Sequence, residues 1–465
     1  MQYQIPENID PQKVFLVRRS ELLDRFDAQY YKEHFDFSNF TRLSHYVTIQ
    51  GGKRIPKGEG YSFDTTPYLY LRVADITEES AVGYSELKCI DEKIFKILEK
   101  YEIHENEIAI SIAGTIGKVL LVKNVPTDKR IILTENCAKL IVRGDGLIPE
   151  YLSIVLRISI LQKQMMLNYI QTTIPKIGLD RIGKLMIPNI PSRAKQEEII
   201  AYYNEAVEEQ KTKNKESQQL LDSINDYLLE ELGITLPDID SDLSDRIFCI
   251  KSSELVDRLD PRFNRYSEFF KNISSSYSFT TLNEVIINKG QYGANESAID
   301  YNVGDVRYIR ITDIDELGYL KDTDKKTAST IDSNYLLKSD DILFARSGSV
   351  GKCYIHKNLS CPAIFAGYLI RFDLDKNKIN PDFLFYYCNS KLYQLWVETI
   401  RRPAVQANIN AQEFRKMMIP LPPLPKQEEI AKHILEIRQK ANSLREEGKQ
   451  ILQQANREVE KMILG

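Results

Sequence analysis

The stretch IPNIPSRAKQEEII, Ile187–Ile200, returns later in the chain as IPLPPLPKQEEIA, Ile419–Ala431, with KQEEI intact at Lys195–Ile199 and Lys426–Ile430. Proline fixes φ and disfavours helix at the residue before it, so both stretches are expected to stay extended up to Lys195 and Lys426. Glutamates inside the first turn then suit the positive end of a helix dipole. Beyond both starts the apolar residues take a helical pattern. In the second copy Ile430, Ile434, Ile437, Ala441, Leu444, Gly448, Ile451, Ala455, Val459 and Met462 recur at steps of three or four. In the first, Ile200, Tyr203 and Val207 open the stripe and Leu221, Ile224 and Leu228 close it, with Gln210, Asn214 and Ser217 between. Such a stripe specifies a helix–helix seam, and polar residues within it fix register. At about 1.5 Å per residue, thirty-five to forty residues span roughly 55 Å. A narrow stripe needs a partner. Each helix lying on its own globular part would supply one; the favoured reading pairs the two helices with each other, antiparallel about a pseudo-twofold axis, with the globular parts at opposite ends.

The doubling extends beyond these helices. FLVRRSELLDRFD, Phe15–Asp27, answers to FCIKSSELVDRLD, Phe248–Asp260. LYLRVADI around Arg72 answers to RYIRITDI around Arg310, and AISIAGTIGKV to LFARSGSVGKC. Order and spacing are kept throughout, which means duplication. Each half carries a mixed globular segment with strand-like runs at Tyr68–Val73, Glu107–Ala113, Lys118–Val122, Arg307–Ile311 and Asp341–Arg346, then a proline boundary, then a long helix. The expected organisation is α+β: globular domains at 1–194 and 248–425, long helices at 195–232 and 426–465, and a linker at 233–247. The first helix is expected to end at Gly233, and QIPENIDPQK near the start matches the linker, Ile5-Pro6 answering to Leu236-Pro237.

The chain's 465 residues exceed what one core usually holds, in keeping with two domains. No run approaches the apolar length of a membrane span, and no secretory signal is visible, so the expected location is the cytoplasm. Six cysteines (Cys89, Cys137, Cys249, Cys353, Cys361, Cys388) form no C-x-x-C pair, which argues against structural zinc and for free thiols. The net charge of −4 is unevenly spread. Lys195–Asp245 holds four basic and fourteen acidic side chains, so the remainder is mildly basic. That acidic helix is either a solvated face or a surface for a partner protein.

GTIGK (Gly114–Lys118) and GSVGK (Gly348–Lys352) do not make a phosphate-cradling loop. Two residues rather than four separate the glycines, and Val119 or Cys353 stands next where Ser or Thr would hold magnesium. A turn between paired strands is expected, with Lys118 and Lys352 as candidate phosphate contacts. Arg72 with Asp75, and Arg310 with Asp313, sit three apart, facing opposite sides if both lie on a strand, so no pair is expected. No Asn/Asp-Pro-Pro-aromatic tetrad, H-E-x-x-H or G-x-S-x-G is present, nor G-x-G-x-x-G after a strand, so no catalytic or metal-binding residue is assigned. Candidate DNA-facing stretches combine basic, amide and glycine residues: QGGKRIPKGEGYS with Lys53, Arg54 and Lys57; KGQYGANES with Gln291, Tyr292 and Asn295; QTTIPKIGLDR with Gln171, Lys176 and Arg181; and RRPAVQANIN with Arg401, Arg402, Gln406 and Asn408. Arg and Lys hold phosphates or guanine, and Asn or Gln reads adenine. Loop solubility alone would also account for any one of them.

The doubled K-Q-E-E-I helix starts, the R-x-x-D-I runs and the G-x-x-G-K turns together resemble the specificity (S) subunits of Type I restriction–modification systems, over essentially the full length. The resemblance implies two target-recognition domains, each reading half of a split double-stranded DNA sequence. It implies an antiparallel helical spacer that docks two methyltransferase subunits, with restriction (translocase/endonuclease) subunits further out. The chain itself would be non-catalytic, and S-adenosylmethionine, ATP and magnesium would belong to the partners. A coiled-coil adaptor that does not bind DNA, and a nuclease or methylase with divergent motifs, stay open at this point.

Overall fold

The computed structural model describes residues 10, 14–17, 19, 37–77, 82–168, 175–236, 249–252, 263–264, 269–270, 272–357, 361–400 and 408–465. Most of the paired FLVRRSELLDRFD and FCIKSSELVDRLD stretches, and Ile5, Pro6 and Pro237 of the linker correspondence, fall outside these. The chain forms two compact units, one of residues 1–212 with 447–465 and the other of residues 213–446.

In the first unit the runs YLYL, IAIS and RIIL are rich in aromatic and β-branched residues, which suit strands buried on both faces. They form Tyr68–Leu71, Ile108–Ser111 and Arg130–Leu133. An antiparallel sheet takes the order Val47–Gly51, Cys137–Val142, Ile108–Ser111, Val119–Leu121. A second sheet takes the order Lys88–Cys89, Tyr68–Leu71, Arg130–Leu133, Glu102–Ile103, with its central pair parallel. The second unit repeats this plan. Gln291–Tyr292, Leu369–Phe372, Ile342–Ala345 and Cys353–Ile355 make the antiparallel sheet. Arg307–Ile309 runs parallel to Ala363–Phe365 in the other sheet. Lys326–Ala328 and Ala298–Asp300 extend that sheet at one edge. The expected strands are all present, each shorter than its apolar run.

The G-x-x-G-K segments are the expected turns. Gly114, Gly117, Gly348 and Gly351 adopt positive φ, and the flanking strands pair antiparallel. Buried Ser111 braces the first turn: its hydroxyl donates to Thr115 O (2.6 Å) and accepts from Lys118 N–H (2.8 Å).

The long helices run Arg193–Leu232 and Leu424–Leu464, starting before Lys195 and Lys426. The prolines delay helix less than expected. Ser192 accepts the first helical N–H groups, and Pro425 occupies the first turn, where a missing N–H costs nothing. Gly233 ends the first helix at φ 64°, with Ile234 N–H closing on Leu229 O. Every stripe residue of the second helix is buried or half-buried. In the first helix Gln210 and Ser217 are buried, but Asn214 is exposed and Lys213 is half-buried instead.

The stripes meet both partners. In the second unit the helices run antiparallel: Lys426 pairs with Glu231 (2.7 Å), His433 stacks on Tyr227, Ser217 donates to Ala441 O (2.8 Å), and Arg445 donates to Gln218. Yet Ile430, Ile434, Leu228 and Leu232 also belong to the same apolar cluster as the strands and helices of their globular part. In the first unit Ile199, Tyr203 and Val459 do likewise. A helix–helix seam without the globular parts therefore describes only half of the packing.

The buried glutamine of KQEEI explains why the motif is doubled. Gln196 accepts from Ile148 N–H (2.9 Å) and donates to Gly146 O and Pro191 O. Gln427 accepts from Asn380 N–H (2.8 Å) and donates to Lys378 O and Pro422 O. Each amide stitches its helix start to a loop of its globular part, with both N–H groups and the carbonyl oxygen engaged.

Candidate nucleic-acid interface

Each unit gathers the same backbone segments around a cleft. In the first, Gly52–Arg54 lies against the end of Arg130–Leu133: Lys53 N–H donates to Leu133 O (2.9 Å) and Tyr70 Oη to Lys53 O (2.8 Å). In the second, Ala294 N–H donates to Phe365 O (2.9 Å) and Tyr308 Oη to Ala294 O (2.7 Å). Arg54 and Asn295 thus hold equivalent positions. The bridge between Ala113 and Lys176 matches that between Ser347 and Asn408, making Lys176 and Asn408 equivalent as well. Gly52 and Gly293 permit the close approach, since a Cβ on either would lie within 2.4 Å of carbonyl oxygens of the facing segment.

The first cleft, about 520 Å³, is lined by Arg54, Tyr61, Tyr70, Arg72, Glu135 and Asn136 among others. Arg54 is exposed and ion-paired with Glu135. Burial works to raise the Glu135 carboxyl, but hydrogen bonds from Arg54, its own backbone and Thr134 outweigh it and hold the group below its ordinary range. Burial pushes the Tyr70 phenol up to about 12, so it remains a donor at neutral pH. The second unit offers two adjoining spaces. One, of about 520 Å³, includes Glu296, Tyr308, Arg310, Ser349 and Tyr368; the other, of about 200 Å³, includes Asn295, Arg346 and Asn408.

Contrary to the strand-based expectation, Arg72 and Asp75 are paired, as are Arg310 and Asp313. The strand ends before each arginine and the chain enters a 3-10 turn, Val73–Asp75 or Ile311–Asp313, which swings the carboxylate back. Asp75 accepts from the Arg72 backbone N–H (2.8 Å) and Nε (2.9 Å); Asp313 accepts from the same groups of Arg310 at 2.8 and 3.1 Å. Both arginines line their clefts in a held orientation.

The other predicted residues are scattered around these clefts and beyond them. Lys53 and Lys57 are exposed, on the segment that carries the cleft residue Arg54. Lys118 Nζ donates to Ile76 O (2.6 Å), whereas Lys352 Nζ donates to Ile314 O and pairs with Glu316. Arg181 donates to Asn168 O. Gln291 is occupied at both ends of its amide, by Arg371 and Asn334 O. Tyr292 accepts from Ala411 N–H and lies under the Arg346 guanidinium. Gln171, Arg401, Arg402 and Gln406 lie outside the described residues. Sequence reasoning missed Arg72, Arg310, Arg346, Glu135 and Tyr368 as cleft residues. For the first two the signal was present as the doubled R-x-x-D-I; for the rest only topology brings them in.

Two copies of one frame with different side chains fit what a sequence comparison finds. The profile of the Type I restriction modification DNA specificity domain matches residues 38–225 and again 275–454. The chain belongs to that family. Among curated members it is similar to the putative type I restriction enzyme MjaX specificity subunit of Methanocaldococcus jannaschii, 30% identical over 155 residues. It is also similar to the Type I restriction enzyme EcoBI specificity subunit of Escherichia coli, 24% identical over 193 residues. These matches cover 32% and 40% of this chain, and span only 36% and 40% of the relatives' own lengths. Among solved structures, the S subunit of a Type I restriction–modification system from M. genitalium aligns over 91% of this chain and 95% of its own, at 14% identity and a TM-score of 0.41. Both DNA specificity domains fall on the doubled α+β frame, one in each half of the sequence.

Proposed function

We propose that this chain reads a split double-stranded DNA target, one half in the cleft of each unit, as the non-catalytic specificity subunit of a Type I restriction–modification assembly. In this reading it docks two methyltransferase subunits and, through them, restriction subunits, and those partners use S-adenosylmethionine, ATP and magnesium. The observation that carries the reading is the doubled cleft. What the copies share, Arg72 with Arg310 and Tyr70 with Tyr308, suits the phosphate backbone common to any duplex. What they exchange, Arg54 for Asn295, Lys176 for Asn408 and Asn136 for Tyr368, suits base edges that differ between half-sites.

The long helices act as the spacer, so the gap between half-sites is a geometric quantity. Removing matched residues from the centre of both helices is expected to shift the preferred gap and leave both half-sites unchanged, as mapped by genome-wide methylation. An unchanged gap counts against the spacer. Binding by the reconstituted complex is expected to weaken steeply with salt, with log affinity falling by roughly 0.9 per phosphate contact for each unit of log salt concentration. Salt-insensitive binding, or none that depends on sequence, sinks the DNA reading.

A further inference from the structure

Arg346 is placed in the second cleft with its backbone fixed and its side chain unused. It lies just past the strand Ile342–Ala345; its N–H donates to Tyr368 O (2.9 Å) and its carbonyl accepts from Ile409 N–H (2.9 Å). Among the described residues five arginines bury Nε without an acceptor: Arg307, Arg346, Arg371, Arg415 and Arg438. Four of them place another guanidinium N–H on a protein oxygen: Arg307 on Lys321 O, Arg371 on Asp341, Arg415 on Asn283 and Arg438 on the Tyr319 hydroxyl. Among the described residues Arg346 has neither an ion pair nor a side-chain hydrogen bond, and its guanidinium lies over the Tyr292 ring, 4.9 Å from the centroid. A half-buried cation with no counter-charge is costly unless a ligand completes it.

The space it faces, about 200 Å³, is lined also by Asn295, Ser347, Gly367, Tyr368 and Asn408, with no carboxylate among the described residues. The frame itself does not require the cation. At the same backbone position in the first unit, Ile112 bonds to Asn136 O and Ile177 N–H in the same way, and its side chain is in the apolar core.

Resting on the proposed DNA reading, we infer that Arg346 reads a guanine in the half-site recognised by the second unit, its Nη edge donating to O6 and N7. The tyrosine ring supports the guanidinium from one side, and guanine presents the planar pair of acceptors that such a fork matches. The neighbouring Asn295 and Asn408 bring amides, which can pair with base edges, into the same space, so its chemistry suits a base better than a phosphate.

The test uses the full chain in its assembled complex, with genome-wide methylation mapping and competition binding. Arg346→Lys keeps the charge and loses the fork; Arg346→Gln loses both. Both are expected to relax one guanine position, in one half-site only, by about ten- to a hundred-fold in discrimination, with the other half-site and the gap unchanged. Thermal unfolding of the lysine variant like the parent's confirms that the unit is intact. Uniform weakening on every sequence, an unchanged motif, or a parent motif lacking guanine in either half overturns the assignment. A parent complex without any bipartite motif overturns the DNA reading as well, and is recognised by that.

Discussion

Gln427→Ala is expected to destabilise the second unit by about 4 kcal/mol, because three buried backbone groups lose their partner at once. The amide is fully enclosed, so water does not replace it without opening the junction between helix start and globular part. Trp396, the only tryptophan of the chain, is buried in the same apolar cluster as Ile430 and reports on this unit. In urea its emission transition is expected at a clearly lower midpoint in Gln427→Ala. The matched Gln196→Ala is expected to leave that transition in place and to lower a separate one followed by far-UV circular dichroism. A Gln427→Ala midpoint equal to the parent's contradicts the stitch, since a loss of that size cannot be hidden in a denaturation curve.

Gly293→Ala is the other large effect. An added Cβ would stand 2.3 Å from both Ala366 O and Phe365 O, and neither is a side chain that can swing away. The segment must therefore retreat, giving up the Ala294–Phe365 hydrogen bond and carrying Asn295 out of the cleft. Sequence-selective recognition of one half-site is expected to fall by on the order of a hundred-fold, equivalent to the loss of one or two good base contacts. Gly52→Ala, whose Cβ would stand 2.0 Å from Thr134 O, is expected to do the same to the other half-site. Methylation mapping separates the two: loss of both half-sites from either variant argues against one cleft per half, and no loss argues that the approach of the segments is unimportant. Normal Trp396 emission in Gly293→Ala distinguishes damage at the cleft from unfolding.

Much of this architecture is written in local pattern. The 3/4 spacing from Ile430 to Met462, the glycines of the G-x-x-G-K turns and the internal duplication are properties of neighbouring residues, and the structure obeys them. The strand ends were not legible in that way. Nothing near Arg72 announces that the strand stops at Leu71, so period-two reasoning puts Arg72 and Asp75 on opposite faces when a 3-10 turn brings them together. Nor was the role of the motif glutamine legible, because its partners lie about fifty residues away in sequence, on loops that periodicity does not place. For the clefts, composition nominates Arg54, Asn295, Lys176 and Asn408, and the shared frame puts them in corresponding places. Arg346 escapes because in sequence it is a residue before a turn; only its lack of a partner, seen in three dimensions, distinguishes it.

Val459 shares an apolar cluster with Ile199 and Tyr203, although some 250 residues separate them along the chain. The second unit is continuous in sequence, whereas the first is not. During synthesis from the N-terminus, the half made earlier therefore lacks part of its oily interior until residues 447–465 have been added, whereas the half made later is assembled from one unbroken stretch.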